Sequence, residues 1–170
     1  DENIALISAT GSTEMGKDLA PIVSKRLGRT LLELGGNNAA IICPTADLNL
    51  TVKGVTFSAC GTTGQRCTTL RRAFVHEDIY EEFITKLKNY YASLKIGDPF
   101  DKSSQIGPLI SEKSFNDMQR VLYSVKEKDT KIHGGDRLDI GNSGDFYVTP
   151  AIVEVSKVEE EMLNETFAPI

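Results

Sequence analysis

The feature that most constrains this chain is an alternation of short apolar runs with stretches of helical period. Residues 4–7, 30–34 and 39–43 are runs of four or five mostly apolar residues, too short for helices and bounded by polar or glycine-containing segments, so they read as buried strands. After the first run, Met15, Leu19, Ile22, Val23 and Leu27 recur at helical spacing, and Gly28 predicts the end of that helix. Asp47 is placed to cap a helix from about Leu48 to Ala59. Asp78 is placed to cap another reaching Leu94, with Ile79, Phe83, Leu87 and Tyr90 or Tyr91 on its buried side. A further helix is expected over residues 111–128, carrying Phe115, Met118, Val121, Leu122 and Val125. Residues 73–75, 146–148 and 151–153 resume strand character, Gly97-Asp98-Pro99 reads as a turn, and 136–145 as a polar, glycine-rich surface loop. Strands alternating with helices of this length predict an α/β fold with a mainly parallel sheet.

The chain has 170 residues, about one domain by length, and a boundary near Gly35-Gly36 is compatible with the composition without being forced by it. A net charge of −5 lacks the basic footprint of a general nucleic-acid binder, but it does not exclude an anionic cofactor, which is held by local dipoles. Cys43, Cys60 and Cys67 form no C-x-x-C pair, and His76 and His133 lie far apart, so neither a disulfide framework nor a metal site is expected. Unpaired cysteines suit a reducing compartment, which predicts a cytoplasmic protein, with a mitochondrial one as the alternative. No run of 18 apolar residues occurs, so no membrane partner is expected. The chain starts at Asp1 and stops at Ile170 straight after Ala168-Pro169, and both ends read as cut.

Four stretches could carry chemistry. Thr62-Thr63-Gly64-Gln65-Arg66-Cys67-Thr68-Thr69 sets a cysteine among small and hydroxyl residues with an arginine before it, which leaves space for a substrate. Arg66, and a helix N-terminus expected just after the cysteine, would favour the thiolate. The bland alternative is a buried cysteine packed as a small hydrophobe. Glu33, inside Leu31-Leu32-Glu33-Leu34, would be partly desolvated and suited to a general base, or else an edge glutamate facing water. Gly11 and Gly16, with Ser12 between them, open a strand-to-helix turn whose amides could approach a phosphate. Gly11 to Lys17 also comes near a nucleotide-triphosphate loop, but Asp18 stands where that loop needs a hydroxyl for magnesium. Glu165 and Phe167 could hold a ribose diol and pack against a nicotinamide, or simply pack. Cys43 reads as a core residue, Cys60 as structural, and 126–129 as a solvated helix end.

These stretches, in this order, resemble the aldehyde dehydrogenase superfamily: Gly11-Ser12-Thr13-Glu14-Met15-Gly16, Leu32-Glu33-Leu34-Gly35-Gly36, Gly64-Gln65-Arg66-Cys67 and Glu165-Thr166-Phe167-Ala168-Pro169, with Gly97-Asp98-Pro99 and Gly107-Pro108-Leu109 between. Asn37-Asn38 after the glycine pair, Ala168 after Phe167, and Arg71-Arg72 resemble its antiquitin branch, which oxidises α-aminoadipic semialdehyde. The resemblance implies a three-layer α/β/α fold truncated at both ends, with residues 1–35 ending a cofactor domain and 36–170 forming an incomplete catalytic domain. It implies NAD as cofactor, with NADP as the alternative, and an aldehyde as substrate. Cys67 would be the nucleophile and Glu33 the base that activates water. Gly11, Ser12 and Gly16 would lie at the pyrophosphate, and Leu34 and Gly35 near the nicotinamide. Glu165 and Phe167 would meet the ribose, and Arg66 the substrate carboxylate. The Cys67 backbone N–H and an asparagine upstream of Asp1 would hold the oxyanion. The resemblance also implies that longer family members pair as homodimers or homotetramers and that this stretch alone is not an efficient dehydrogenase. Three other classes stay open: a nucleotide-triphosphate module on Gly11 to Lys17, a non-catalytic fragment that persists by pairing with other subunits, and a cofactor-free thioesterase using Cys67 and Glu33.

Overall fold

A computed structural model describes residues 1–126, 130–140 and 145–170. Two compact units make up the chain, Asp1–Gly36 and Asn37–Ile170.

The first unit is one β-α-β element: β1 (Leu6–Thr10), α1 (Thr13–Lys25) and β2 (Arg29–Glu33), the strands pairing in parallel. Ser12 caps α1, its side chain accepting the Met15 N–H at 3.0 Å, and Val23 is the helix's buried anchor. β1 and β2 are mainly exposed or half-buried rather than the buried strands that their apolar runs suggest, because one helix can cover only one face of two strands. The end of α1 also differs. Leu27, not Gly28, takes the left-handed conformation (φ 59°). The Gly28 and Leu27 N–H groups close onto the carbonyls of Val23 (3.1 Å) and Ser24 (2.9 Å), the paired closure of a Schellman end.

The second unit begins with β3 (Asn38–Ile42), crosses over through α2 (Leu48–Cys60) and returns in parallel as β4 (Leu70–Val75). Asp47 caps α2 as its sequence position demands, accepting from Asn49 and Leu50. Then come α3 (Tyr80–Ser93) and α4 (Glu112–Lys126), with the shorter strands β5 (Thr130–His133), β6 (Arg137–Leu138), β7 (Tyr147–Val148) and β8 (Ile152–Val155). β5 pairs with β8 and β6 with β7, both antiparallel, so parallel pairing is carried by the longer strands. Val52, Val55 and Ala59 of α2 meet Phe83, Ile84, Leu87 and Tyr91 of α3, whose i, i+3, i+4 spacing aligns one apolar stripe on each helix. A second core gathers Met118 and Leu122 of α4 with Leu109, Val148, Ala151 and Ala168.

Some boundaries moved. The cap before α3 is His76, which accepts from the Asp78 N–H at 3.3 Å and opens a short 3-10 turn, Glu77–Ile79. Cys43 is exposed instead of lying in the core, because β3 ends at Ile42 and Cys43 starts the following turn, its carbonyl accepting from Ala46. The expected helix end at 127–129 and the middle of the expected polar loop, 141–144, lie outside the described residues.

Candidate active site

Cys67 lies between a 3-10 turn, Gly61–Gly64, and the start of β4, so no helix begins after it. It occupies the second position of a tight turn in which the Thr69 N–H donates to the Arg66 carbonyl at 3.0 Å. Its thiol is exposed. Thr69, with none of its surface exposed, closes the turn a second time by accepting the Arg66 N–H on Oγ1 at 3.1 Å. The Asn38 side-chain amide donates to the carbonyls of Cys67 (2.8 Å) and Thr69 (2.9 Å). Both peptide planes flanking Cys67 are therefore pinned. The Arg66 carbonyl faces Thr69, and in a trans peptide the Cys67 N–H must point the opposite way, out of the turn.

Long-range contacts hold the turn's surroundings. Thr62 and Thr63 adopt left-handed conformations, φ 56° and 55°, and Gly64 follows at φ 67°. Such a run persists in non-glycine residues only when neighbours over-determine it. Thr63 Oγ1 donates to the Gly107 carbonyl at 2.9 Å, and Gln65 Oε1 accepts the Ile110 N–H at 2.9 Å. A Cβ on Gly64 would stand 2.3 Å from the Ala168 carbonyl oxygen, so only glycine lets the turn lie against residues 168 and 169.

Between Asn38 and Ala39 the β3–β4 register slips, since Asn38 faces Leu70 but Ala39 faces Arg72. Arg71 is the extra residue of this bulge, and bulges re-aim side chains. Its guanidinium, 4% exposed, donates to the Ala168 carbonyl at 2.6 Å, pairs with Glu165 at 3.5 Å and lies 5.6 Å over the Phe167 ring. Burial pulls the Arg71 pKa down while Glu165 pushes it back up. Sequence reasoning weighed the Arg71-Arg72 pair only as a branch signature. The part of Arg71 depends on a bulge and on a partner 94 residues away, which no local pattern carries. Asn38 was missed as a structural clamp for a similar reason.

Arg66 turns back towards α2. Its guanidinium donates to the Phe57 carbonyl at 3.3 Å and lies 5.1 Å over the Phe57 ring. Cys60 is the contrasting thiol: it is buried, and desolvation pushes its pKa up to about 12 although the Tyr91 hydroxyl opposes that rise. A cavity of about 370 Å³ lies beside β4 and β8, lined by Arg71, Arg72, Val121, Val153 and Thr166 among others, and Cys67 is not in its wall.

In the first unit the amides of Gly11 and Gly16 are already committed, to the Glu33 and Ser12 carbonyls at 3.0 Å each. The free donors of this turn are therefore not the Gly11 and Gly16 amides themselves. Gly16 instead lets Leu34 approach, since a Cβ there would stand 2.5 Å from a Leu34 methyl. The first-turn amides of Thr13 and Glu14, which have no intrahelical partner, remain beside Ser12. Glu33 ends β2 and is exposed, not partly desolvated, because strand alternation turns Leu32 inward and the glutamate out. Gly35 follows it into the segment that closes the unit. Among the described residues no group of three or more metal-ligating side chains gathers, and no helix is long and apolar enough to cross a membrane.

The chain thus holds a β-α-β unit with a capped helix start and an α/β unit that presents an exposed thiol on a pinned turn. The chain is similar over 99% of its length to a solved NADP-dependent enzyme of E. coli (32% identity, TM-score 0.93), of which it covers 35%. It is similar over the same share to betaine aldehyde dehydrogenase of Staphylococcus aureus solved with NAD+ (28% identity, TM-score 0.92, 34% of that chain). The Aldehyde dehydrogenase family profile matches residues 1–170, and this chain belongs to that family. Among curated relatives it is 44% identical over 172 residues to alpha-aminoadipic semialdehyde dehydrogenase of Rattus norvegicus, covering all of this chain and 31% of that protein. It is 40% identical to aldehyde dehydrogenase family 7 member A1 of Pisum sativum, covering all of this chain and 33% of that protein. The chain thus spans about a third of the length of the curated relatives it matches.

Proposed function

We propose that this chain carries the nucleophile-bearing part of an enzyme that oxidises an aldehyde to its acid with a nicotinamide cofactor. The observation that carries the reading is how Cys67 is presented: it is exposed on a pinned turn whose outward N–H has no hydrogen-bond partner among the described residues, while Cys60 is buried. The Cys67 thiolate attacks the aldehyde carbon, and its own backbone N–H receives the oxyanion. The nicotinamide cofactor supplies the hydride acceptor. Loss of hydride leaves a thioester on Cys67, and Glu33 takes a proton from the water that hydrolyses it, releasing acid and free thiol.

The residues fit a dinucleotide in three respects. Ser12 and the free first-turn amides of α1 suit a pyrophosphate. Leu34 and Gly35 would face the nicotinamide. Glu165, anchored by Arg71, keeps a second carboxylate oxygen for a ribose diol, with Phe167 beside it. Residues 1–35 would then end the cofactor-binding domain and 36–170 form part of the catalytic domain, one residue from the division between the two compact units. An aldehyde that also carries a carboxylate is the favoured substrate, α-aminoadipic semialdehyde by likeness to the relatives above. Arg66 would serve that carboxylate by leaving the Phe57 carbonyl, since a guanidinium fork matches a carboxylate. The protein is read as cytoplasmic, and longer forms as homo-oligomers.

The test is acylation of this chain by p-nitrophenyl acetate without cofactor. A burst of nitrophenolate with the acetyl group mapped to the Cys67 peptide is expected, abolished in Cys67→Ser, with slower acetate release in Glu33→Gln. Acetylation spread equally over Cys67 and the exposed Cys43 would overturn the reading. The 170 residues alone are expected to give no steady NADH from an aldehyde, and a sustained rise in NADH absorbance would contradict that part.

A further inference from the structure

The turn that presents Cys67 does not hold itself. Its inner hydrogen bonds, Thr69 N–H to Arg66 carbonyl and Arg66 N–H to Thr69 Oγ1, fix the peptide before the cysteine only while Thr69 stays put. Thr69 is tethered through its carbonyl to Asn38, and the same side-chain nitrogen holds the Cys67 carbonyl, fixing the peptide after the cysteine. Asn38 itself sits on β3, paired opposite Leu70 at the edge of the bulge that sends Arg71 to Glu165. The upstream residues Thr62 and Thr63 are left-handed and would relax if the turn were released.

We infer that Asn38 is a positioning residue: one side-chain amide, donating to carbonyls on either side of Thr68, aims the Cys67 backbone N–H at the place where an oxyanion forms. This rests on the reading of Cys67 as nucleophile. It predicts a selective defect. Acylation passes through a tetrahedral oxyanion and needs the aimed N–H, whereas alkylation by iodoacetamide is a direct displacement that builds no oxyanion. Loss of Asn38 should slow the first and spare the second, while a merely structural loss would move both and open the buried Cys60.

The experiment measures, in this chain, the burst rate with p-nitrophenyl acetate and the alkylation rates of Cys67, Cys43 and Cys60 by mass spectrometry, for the parent, Asn38→Ala and Asn38→Asp. The acylation burst is expected to fall about tenfold or more, a part of the ~10²–10³ that a whole oxyanion donor is worth. Cys67 alkylation in Asn38→Ala should stay within about twofold of the parent, with Cys60 still protected. Should Asn38→Ala expose Cys60, Thr69→Val decides instead: it nearly keeps the side chain's shape, removes the Oγ1 that holds Arg66 N–H and is expected to show the same selective loss. Equal falls in acylation and alkylation, or an unchanged burst, overturn the role of Asn38 alone. A parent with no burst at Cys67 overturns the nucleophile reading and the inference with it.

Discussion

Two turns in this molecule carry glycines, one leading from β1 into α1 and the other from α2 into β4, and they are built in opposite ways. The turn from β1 into α1 closes on its own neighbourhood: Ser12 caps Met15, Gly16 bonds Ser12, and one nearby strand supplies the Glu33 carbonyl to Gly11. The Cys67 turn is held from afar, by Asn38 29 residues before it, by Gly107 and Ile110 some 44 and 45 residues after Thr63 and Gln65, and by Ala168 against Gly64. The first arrangement needs little more than a local pattern. The second exists only when the whole unit is folded, so the presentation of Cys67 is a tertiary property.

Alanine at one glycine from each turn gives the sharpest break between them. In Gly64→Ala the new methyl meets backbone, the Ala168 carbonyl, at a position whose φ of 67° already disfavours a side chain. Neither can move aside cheaply, and a loss of about 3 kcal/mol or more is expected, read as urea-dependent alkylation of the buried Cys60. In Gly16→Ala the methyl meets only the mobile end of Leu34, and the helix gains intrinsic propensity, so the net loss should stay below about 1 kcal/mol by amide exchange of β1 and β2. Equal losses would show that the two turns are not built differently.

That contrast also explains what could be read in the sequence. The alternation of elements, the Asp47 cap, the buried faces of α3 and α4 and the loop character of the Cys67 segment follow from spacing and local chemistry, and all were legible. Exposure was legible only in part: the edge reading of Glu33 holds, but Cys43 was read as core, and a one-residue difference in where β3 ends puts it at the surface. The amides of Gly11 and Gly16 were legible as glycines but not as donors already in use. Asn38 and Arg71 were invisible as clamps because a register slip in a parallel strand pair brings them to their partners.

A smaller effect probes how the second unit is tied across its own core. Glu154 on β8 accepts from Lys88 Nζ at 2.6 Å and from the Tyr80 hydroxyl at 2.7 Å, both on α3. Burial pushes the Glu154 carboxyl up, but the Lys88 and Tyr80 hydrogen bonds and the Lys88 and Lys131 charges outweigh it and hold the carboxyl below its ordinary value. A carboxyl so depressed stabilises the fold above its unfolded pKa of about 4.3 and loses that contribution as pH falls through the folded value. Glu154→Gln should cost about 1–2 kcal/mol at neutral pH, and its urea midpoint should then fall less than the parent's on acidification from about pH 6 to about pH 3. Parallel acid limbs in the two proteins would remove Glu154 from the account.

The smallest effect separates left-handed residues that are locked from one that is merely tolerated. Thr63 keeps its left-handed φ while buried and bonded to the Gly107 carbonyl. Leu27 keeps its own at 94% exposure, with only the Schellman hydrogen bonds of its backbone to hold it. Glycine makes those bonds equally well without a Cβ to crowd the carbonyl, so Leu27→Gly should relieve the conformation while giving back part of the gain in unfolded-chain entropy. A net stabilisation of about 0.5 kcal/mol in the first unit is expected, read by slower amide exchange at the end of α1. Thr63→Gly relieves the same kind of strain but leaves the Gly107 carbonyl without its donor, so it should destabilise by about 1 kcal/mol or more. If both substitutions stabilise, left-handed strain outweighs the tertiary bond at Thr63, and the Cys67 turn is less dependent on its distant partners than its hydrogen bonds imply.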